Sequence, residues 1–210
     1  EEGTLNGMFF EEINFFLPLS SKKIFYAGLF SFDEKEIKEQ GLISLDSFLE
    51  SSINLKVWSK GYLDTNKQII NSLNRYEFKD SMITTQSKYK IDSANVILYE
   101  NIDKVLIGLF NANIPDQKIS GSIDITDGVL IKTKLKITLD TILADQRYFA
   151  IEGDEYFNAS LLIKNNKSDL YLESDLRNTK FISVIDELSK NYSESLQTSV
   201  KIKDLSNPTY

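Results

Sequence analysis

Alternation of apolar and polar residues with a period of two is the feature that most constrains the fold of this chain. It is clearest in Val129–Leu139 and in Phe157–Lys164, where nearly every second residue is apolar. Successive side chains of a β-strand point to opposite faces, so this pattern predicts strands with one apolar and one polar face. Asp127–Gly128 and Asn165–Asn166 have the composition of tight turns and predict hairpins at those positions.

Similar runs recur along the whole chain, starting with Met8–Leu19 and Ile24–Phe32. The connections between them are short, which favours antiparallel neighbours. We therefore predict a mainly β protein, an elongated and curved antiparallel sheet of the groove or meander type, with one or two short helices. Apolar residues at helical spacing place those helices at Leu63–Tyr76 and Phe181–Leu188.

A charged segment, residues 33–40, predicts a solvated turn or a single helical turn. At 210 residues the chain is long enough to bury a core, and we expect residues 1–210 to form one β-rich module with a possible sub-boundary near 111–118. The first residue is not Met, and we expect the sequence to be an excerpt of a longer protein.

The chain contains neither His nor Cys, which excludes several kinds of site together. Ser-His-Asp hydrolases, cysteine nucleophiles, thiolate or imidazole metal sites and disulfides all need one of these residues. A net charge of -7 argues against a surface that follows nucleic-acid phosphates. We predict no cofactor, no bound metal and no nucleic-acid partner.

Carboxylates are the remaining candidates for catalysis, as in glycoside hydrolases that use paired acids. The acids that cluster in sequence all lie at predicted turns, where acids are common because they bond to the local backbone. They are Asp124, Asp127, Glu152, Asp154 and Glu155. Turn chemistry is the favoured interpretation, and we do not predict an enzyme.

The apolar face of the sheet has two possible uses. In a closed β-sandwich with a structural, adhesion or assembly role it would be dry core, whereas in an open groove it would contact a ligand. The pattern alone does not separate these alternatives. On the polar face, Lys132, Lys134 and Lys136 favour a solubilising surface over contact with anionic lipid.

The segment Lys118–Lys203 resembles the carboxy-terminal modules of the AsmA-like superfamily, of the YhdP type. The resemblance lies in the order of an alternating strand, an L-x-S-D-L step, an apolar segment ending in L-x-K, and a new strand beginning V-x-I. The residues that carry it are Leu172, Ser174, Asp175, Leu176, Val184, Leu188, Lys190, Val200 and Ile202. The hairpin around Asp127–Gly128 is similar to a repeated unit of the same proteins.

This resemblance implies a periplasmic protein of a Gram-negative envelope, anchored to the inner membrane through a segment outside this sequence. It implies a groove that binds phospholipid acyl chains and carries them passively between the inner and outer membranes. The candidate groove-lining positions are Ile123, Ile125, Ile131, Leu135, Ile137, Leu161, Ile163, Leu170 and Leu172.

Overall fold

A computed structural model describes residues 3–5, 8–17, 23–39, 48–63, 69–85, 90–100, 103–139, 149–165, 167–183 and 189–204 of the chain. The chain divides into two compact units, Glu1–Thr126 and Asp127–Tyr210, called here the first and the second unit. Both are built from antiparallel strands, and the prediction of a mainly β protein with an antiparallel sheet is confirmed.

The first unit contains one sheet with the strand order β1-β2-β3-β5-β6-β7-β8-β9, and β4 pairs with β6 beside this path. Neighbours in the sheet mostly follow one another in the chain, as expected for a meander. The strands are β1 (Gly3–Leu5), β2 (Met8–Phe16), β3 (Ile24–Phe32), β4 (Phe48–Ser52), β5 (Leu55–Leu63), β6 (Ile69–Thr85), β7 (Lys90–Glu100), β8 (Leu106–Ile114) and β9 (Gln117–Ile125).

A short helix, α1 (Glu34–Glu39), follows β3, as the charged segment predicted. Its first turn is closed by a reciprocal cap: the backbone N–H of Glu36 donates to Asp33 Oδ1 over 2.8 Å, and the backbone N–H of Asp33 donates to Glu36 Oε2 over 2.9 Å. Ile37 has 0% exposure and packs into a core cluster with Phe30, Phe32, Ile53, Leu55 and Val57. The helix therefore covers part of one face of the sheet.

The predicted helix over Leu63–Tyr76 is wrong. Leu63 ends β5, residues 64–68 lie outside the described residues, and the rest of the segment begins the long strand β6. In β6, Tyr76 lies opposite Val57 of β5 and opposite Leu98 of β7. Packing across two neighbouring strands outweighs the local spacing of Ile69, Ile70 and Leu73 that suggested a helix.

The second unit contains a sheet with the order β10-β12-β13-β15 and a separate pair, β11-β14. Its strands are β10 (Val129–Thr138), β11 (Phe149–Glu152), β12 (Asp154–Lys164), β13 (Lys167–Ser174), β14 (Lys180–Ser183) and β15 (Thr198–Ile202). The predicted turn after Lys164 is confirmed: Lys164 pairs with Lys167, and Asn165 has a φ of 52°. Asn tolerates this left-handed conformation, which two-residue hairpins of type I′ require.

The predicted helix over Phe181–Leu188 is wrong at its start. Phe181–Ser183 belongs to β14, in which Phe181 pairs with Ile151 of β11. Residues 184–188 lie outside the described residues. Phe181 also exchanges two backbone hydrogen bonds with Lys190, of 3.0 and 2.8 Å, so its backbone is committed to extended pairing rather than to a helix.

The Ser174-Asp175-Leu176 step turns the chain after β13. Leu176 has a φ of 47°, and its N–H donates to Ser174 Oγ over 3.1 Å. Its carbonyl accepts from the hydroxyl of Thr179 over 2.9 Å. Ser174, Leu176 and Thr179 are all buried, so Ser174 and Leu176 of the L-x-S-D-L pattern form a tight internal loop with Thr179.

Glu155 holds this loop against β12. Only 2% of Glu155 is exposed, and its carboxylate accepts from the backbone N–H of Asn178 (2.9 Å), from the Asn178 side chain (3.1 Å) and from the backbone N–H of Tyr156 (2.9 Å). A buried carboxylate with three donors stabilises the fold, because removing it leaves those donors without partners.

We expect Gly108→Ala to destabilise the first unit strongly. A Cβ at Gly108 would lie 1.9 Å from the carbonyl oxygen of Ile97, so the backbones of β7 and β8 would have to separate. A loss of about 3 kcal/mol in the free energy of unfolding is expected from urea denaturation. Gly28→Ala is the matched control, because its nearest neighbours, side-chain atoms of Ile13 and Phe30 at 3.2 Å and the carbonyl oxygen of Glu12 at 3.3 Å, need to shift only slightly. A loss below about 1 kcal/mol is expected there. Equal losses would contradict this description of the β7-β8 contact.

We expect Glu155→Ala to lower the free energy of unfolding by about 2 to 3 kcal/mol, because three donors near β12 lose their acceptor. Glu173→Ala, at an exposed position of β13, is the control and should change stability by less than about 0.5 kcal/mol. Chemical denaturation monitored by circular dichroism measures both. A Glu155 variant as stable as the control would show that the carboxylate does not hold the loop.

Candidate functional site

An apolar cavity of about 560 Å³ lies on one face of the first unit's sheet. We call this the cavity face. The lining side chains come from alternate positions of β3, β5 and β6, with further contributions from β7, β8 and β9. They are Tyr26, Phe30, Phe32, Leu55, Val57, Ser59, Ser72, Asn74, Tyr76, Phe78, Leu98, Leu106 and Ile125.

Strand register brings these residues into rows across the sheet. Val57 lies opposite Phe30 on one side and opposite Tyr76 on the other, while Phe32, Leu55 and Phe78 form the next row. Because strands are spaced by about 4.8 Å, each row places an aliphatic side chain between two aromatic ones and forms a continuous apolar wall.

The cavity changes from apolar to polar along the strands. On β5 the lining residues run Leu55, Val57 and Ser59, and on β6 they run Phe78, Tyr76, Asn74 and Ser72. Since β5 and β6 are antiparallel neighbours, the polar residues of both strands lie at the same end. A ligand with an apolar chain and a polar group matches this gradient.

The polar end has its own hydrogen bonds. The Tyr26 hydroxyl lies 2.9 Å from Ser59 Oγ, and Asn74 donates to the Glu100 carboxylate. Glu100 also forms an ion pair with Lys104 at 3.2 Å, and Lys104 donates to the carbonyl of Ser72. These bonds orient the polar side chains and leave the apolar end of the cavity without charged groups among its lining residues.

Tyr76 lies between the two ends of the cavity. Burial raises the pKa of its phenol above the ordinary value, and the nearby Glu100 carboxylate raises it further. The phenol therefore stays neutral at physiological pH, which preserves the apolar character of the wall.

Two of the predicted groove positions belong to the first unit. Ile125 lines the cavity and pairs with Leu106, another lining residue. Ile123 lies two residues earlier on the same face of β9, opposite Gly108, but it is not among the lining residues. The prediction thus locates one residue of this cavity.

The other predicted positions lie in the second unit, on β10, β12 and β13. Ile131, Leu161 and Leu170 lie side by side in register, and all are half-buried. The remaining residues occupy the same face: Leu135 opposite Phe157, Ile137 opposite Glu155, Leu172 opposite Ala159, and Ile163 opposite Val129. Phe157 and Ala159 are buried, whereas Ile163 is 38% exposed, so this apolar face is sealed at one end and partly open at the other.

Sequence reasoning missed most of the cavity's aromatic wall. Phe30 and Phe32 lie in a predicted strand that has no predicted role, and Tyr76 and Asn74 lie in the predicted helix. The signal that indicates a strand at Tyr76 is the alternation of Tyr76 and Phe78 with charged residues over 75–79.

Three of the acids that cluster in the sequence bond to side chains of the sheet and its turns. Asp124 accepts from Thr126 over 2.5 Å, Asp127 pairs with Lys164, and Asp154 accepts from Thr138 over 2.6 Å. A hydrogen bond from Lys136 is the main cause that lowers the pKa of Asp154, with Thr138 second. Within the described ranges, no group of three or more acids is placed to hold a metal ion, and no helix is long and apolar enough to cross a membrane.

Comparison of the chain with protein-family models, with curated proteins and with solved structures found no significant match.

Proposed function

We propose that this chain is a lipid-binding module that holds phospholipid acyl chains on the apolar face of its sheet and passes them between membranes without chemistry. The apolar cavity with a polar end in the first unit is the observation that carries the proposal. Its volume of about 560 Å³ lies in the range of small-ligand sites. The resemblance of Lys118–Lys203 to AsmA-like proteins supports the same function.

An acyl chain is suited to this cavity for energetic reasons. Each buried CH₂ group contributes about 0.8 kcal/mol, and an aromatic and aliphatic wall provides that burial without directional bonds. The polar group of the lipid would lie near Ser59, Ser72 and Asn74, where hydroxyl and amide groups can exchange hydrogen bonds with it. The gradient therefore sets the direction in which the ligand lies along the strands.

The proposal places the protein in the periplasm of a Gram-negative envelope, with inner-membrane anchoring supplied by a segment outside this sequence. Transport between the inner and outer membranes would be passive, since sliding along an apolar surface breaks no covalent bond. No enzymatic activity, cofactor or nucleic-acid partner is part of this function.

A closed β-sandwich with a structural or adhesion role is the alternative function. A sandwich needs two facing sheets, whereas the described strands of the first unit all belong to one sheet. Phe30, Phe32, Leu55 and Val57 belong both to the core packed with α1 and to the lining of the cavity. The lining residues of β6, from Ser72 to Phe78, are only half-buried. This partial exposure favours a binding surface over a sealed interior.

We expect purified protein to carry phospholipid, and Ile125→Trp to lose it. The larger indole would occupy part of the cavity beside Leu106. Ile125 is only half-buried, so a larger side chain can be accepted at this position. Lipid extraction followed by mass spectrometry measures the bound lipid, and uptake of a fluorescent phospholipid from vesicles measures loading.

Leu130→Trp is the matched control for this variant. Leu130 is also a half-buried aliphatic residue in a strand, but it lies in the second unit and lines no part of the cavity. It should retain lipid in the first unit. Absence of lipid from the unaltered protein, together with no uptake from vesicles, would contradict the proposal.

The unaltered protein should lose stability in the alkaline range faster than Tyr76→Phe. The folded-state pKa of Tyr76 lies above the ordinary phenol value of 10.0. The neutral phenol therefore contributes fully to the free energy of unfolding below pH 10.0, and this contribution is lost as the pH rises through the folded-state pKa. Phe cannot ionise and lacks this loss. Urea midpoints measured from neutral to alkaline pH test the difference, with Tyr156→Phe, at an exposed ring, as control. If the urea midpoints of the unaltered protein and of Tyr76→Phe fall equally with rising pH, ionisation of this phenol does not limit alkaline stability.

A further inference from the structure

A second cavity, of about 640 Å³, lies on the opposite face of the same sheet. Side chains alternate along each strand, so the residues between the cavity-face positions point to this side. Leu29, Trp58, Arg75 and Tyr99 follow one another in register across β3, β5, β6 and β7 and form one wall. Ala27, Lys60 and Leu73 form the other wall, which makes a groove that crosses the strands.

The first wall contains two aromatic rings, those of Trp58 and Tyr99, and the guanidinium group of Arg75 lies close to both. The guanidinium carbon of Arg75 lies 4.6 Å from the centre of the Trp58 ring and 5.8 Å from that of Tyr99. Arg75 also pairs with Glu77 at 3.3 Å, which neutralises its charge. The Tyr99 side chain is nonetheless 54% exposed, so its ring remains available to a ligand.

The second wall and the groove end supply hydrogen-bonding groups with no net charge. Asn14 donates to Glu12 over 3.1 Å, and both residues line the groove. Arg75 and Glu100 also line the groove, and each has an ion-pair partner, Glu77 and Lys104 respectively. Among the described residues, neither Glu12 nor Lys60 forms an ion pair, so the groove presents one carboxylate and one ammonium group without such a partner. The charges balance, which does not favour a strongly anionic or cationic ligand.

We propose that this groove binds a neutral oligosaccharide. A sugar ring has an apolar face that can lie on Trp58 or Tyr99, and hydroxyls that can bond with Glu12, Asn14 and Lys60. An extended peptide fits less well, because the groove crosses strands whose backbone groups already pair with their neighbours. An acyl chain would leave the carboxylate and ammonium groups desolvated and unpaired.

Trp58 is the only tryptophan of the chain, so its fluorescence reports on this groove alone. We expect a saturable change in Trp58 emission when tetrasaccharides of glucose, mannose, galactose or N-acetylglucosamine are added one at a time, up to about 10 mM. At least one of the four should respond. No response from any of them, with the protein folded by circular dichroism, would overturn the proposal.

The variant Tyr99→Ala tests whether the sugar stacks on the Tyr99 ring or only changes the emission of Trp58 indirectly. It should weaken binding of the responding sugar about tenfold, because an exposed ring that stacks on the ligand is lost. Tyr156→Ala is the control, since Tyr156 is a strand residue with a similar exposure of 56% in the second unit. Unchanged affinity of the Tyr99 variant, or a response to inorganic phosphate rather than to sugars, would contradict saccharide binding. Lipid loading on the cavity face is measured separately, so either proposal can fail without the other.

Discussion

The register of β6 is the constraint on which the first unit depends. This strand pairs with β4 and β5 on one edge and with β7 on the other, and its alternate side chains supply both cavities. Ser72, Asn74, Tyr76 and Phe78 line the cavity, while Leu73 and Arg75 line the groove, which Asn74 also borders. A shift of one residue would exchange the two sets, so the aromatic packing that fixes the register also separates an apolar site from a polar one.

The second unit is stabilised differently. Phe157 and Ala159 are buried on its apolar face, and Glu155 of β12, Thr179 and Lys190 are buried polar residues of the same unit. The ammonium group of Lys190 donates to the carbonyls of Thr179 and Asn191, and Glu155 accepts from Asn178. Buried charges of this kind require defined partners, so their hydrogen bonds fix the path of the loop and stabilise it.

Much of the strand content could be predicted from sequence because the period-two pattern is local. β3 has the predicted bounds, Ile24–Phe32, and Asn165 lies in the predicted turn. The pattern failed at Leu63–Tyr76, where Ile69, Ile70 and Leu73 have helical spacing and the evidence for a strand comes from partners in β5 and β7. The cavity was missed for the same reason: alternation identifies an apolar face, but only the register shows which side chains of different strands meet to line a cavity beside the core.

The small size of the cavity bears on how a carrier would work. Burial of about ten CH₂ groups would contribute roughly 8 kcal/mol, and the costs of ordering the chain and restricting its motion offset a large share of this. The net affinity at such a site would be modest, which would allow a lipid to leave on the timescale of transport. A gradient that ends at Ser59, Ser72 and Asn74 would orient the ligand without holding its polar group by charge, because Glu100 is already paired with Lys104. Weak, oriented binding on one face would leave the opposite face free for a different ligand, and the alternation of β6 supplies side chains to both faces.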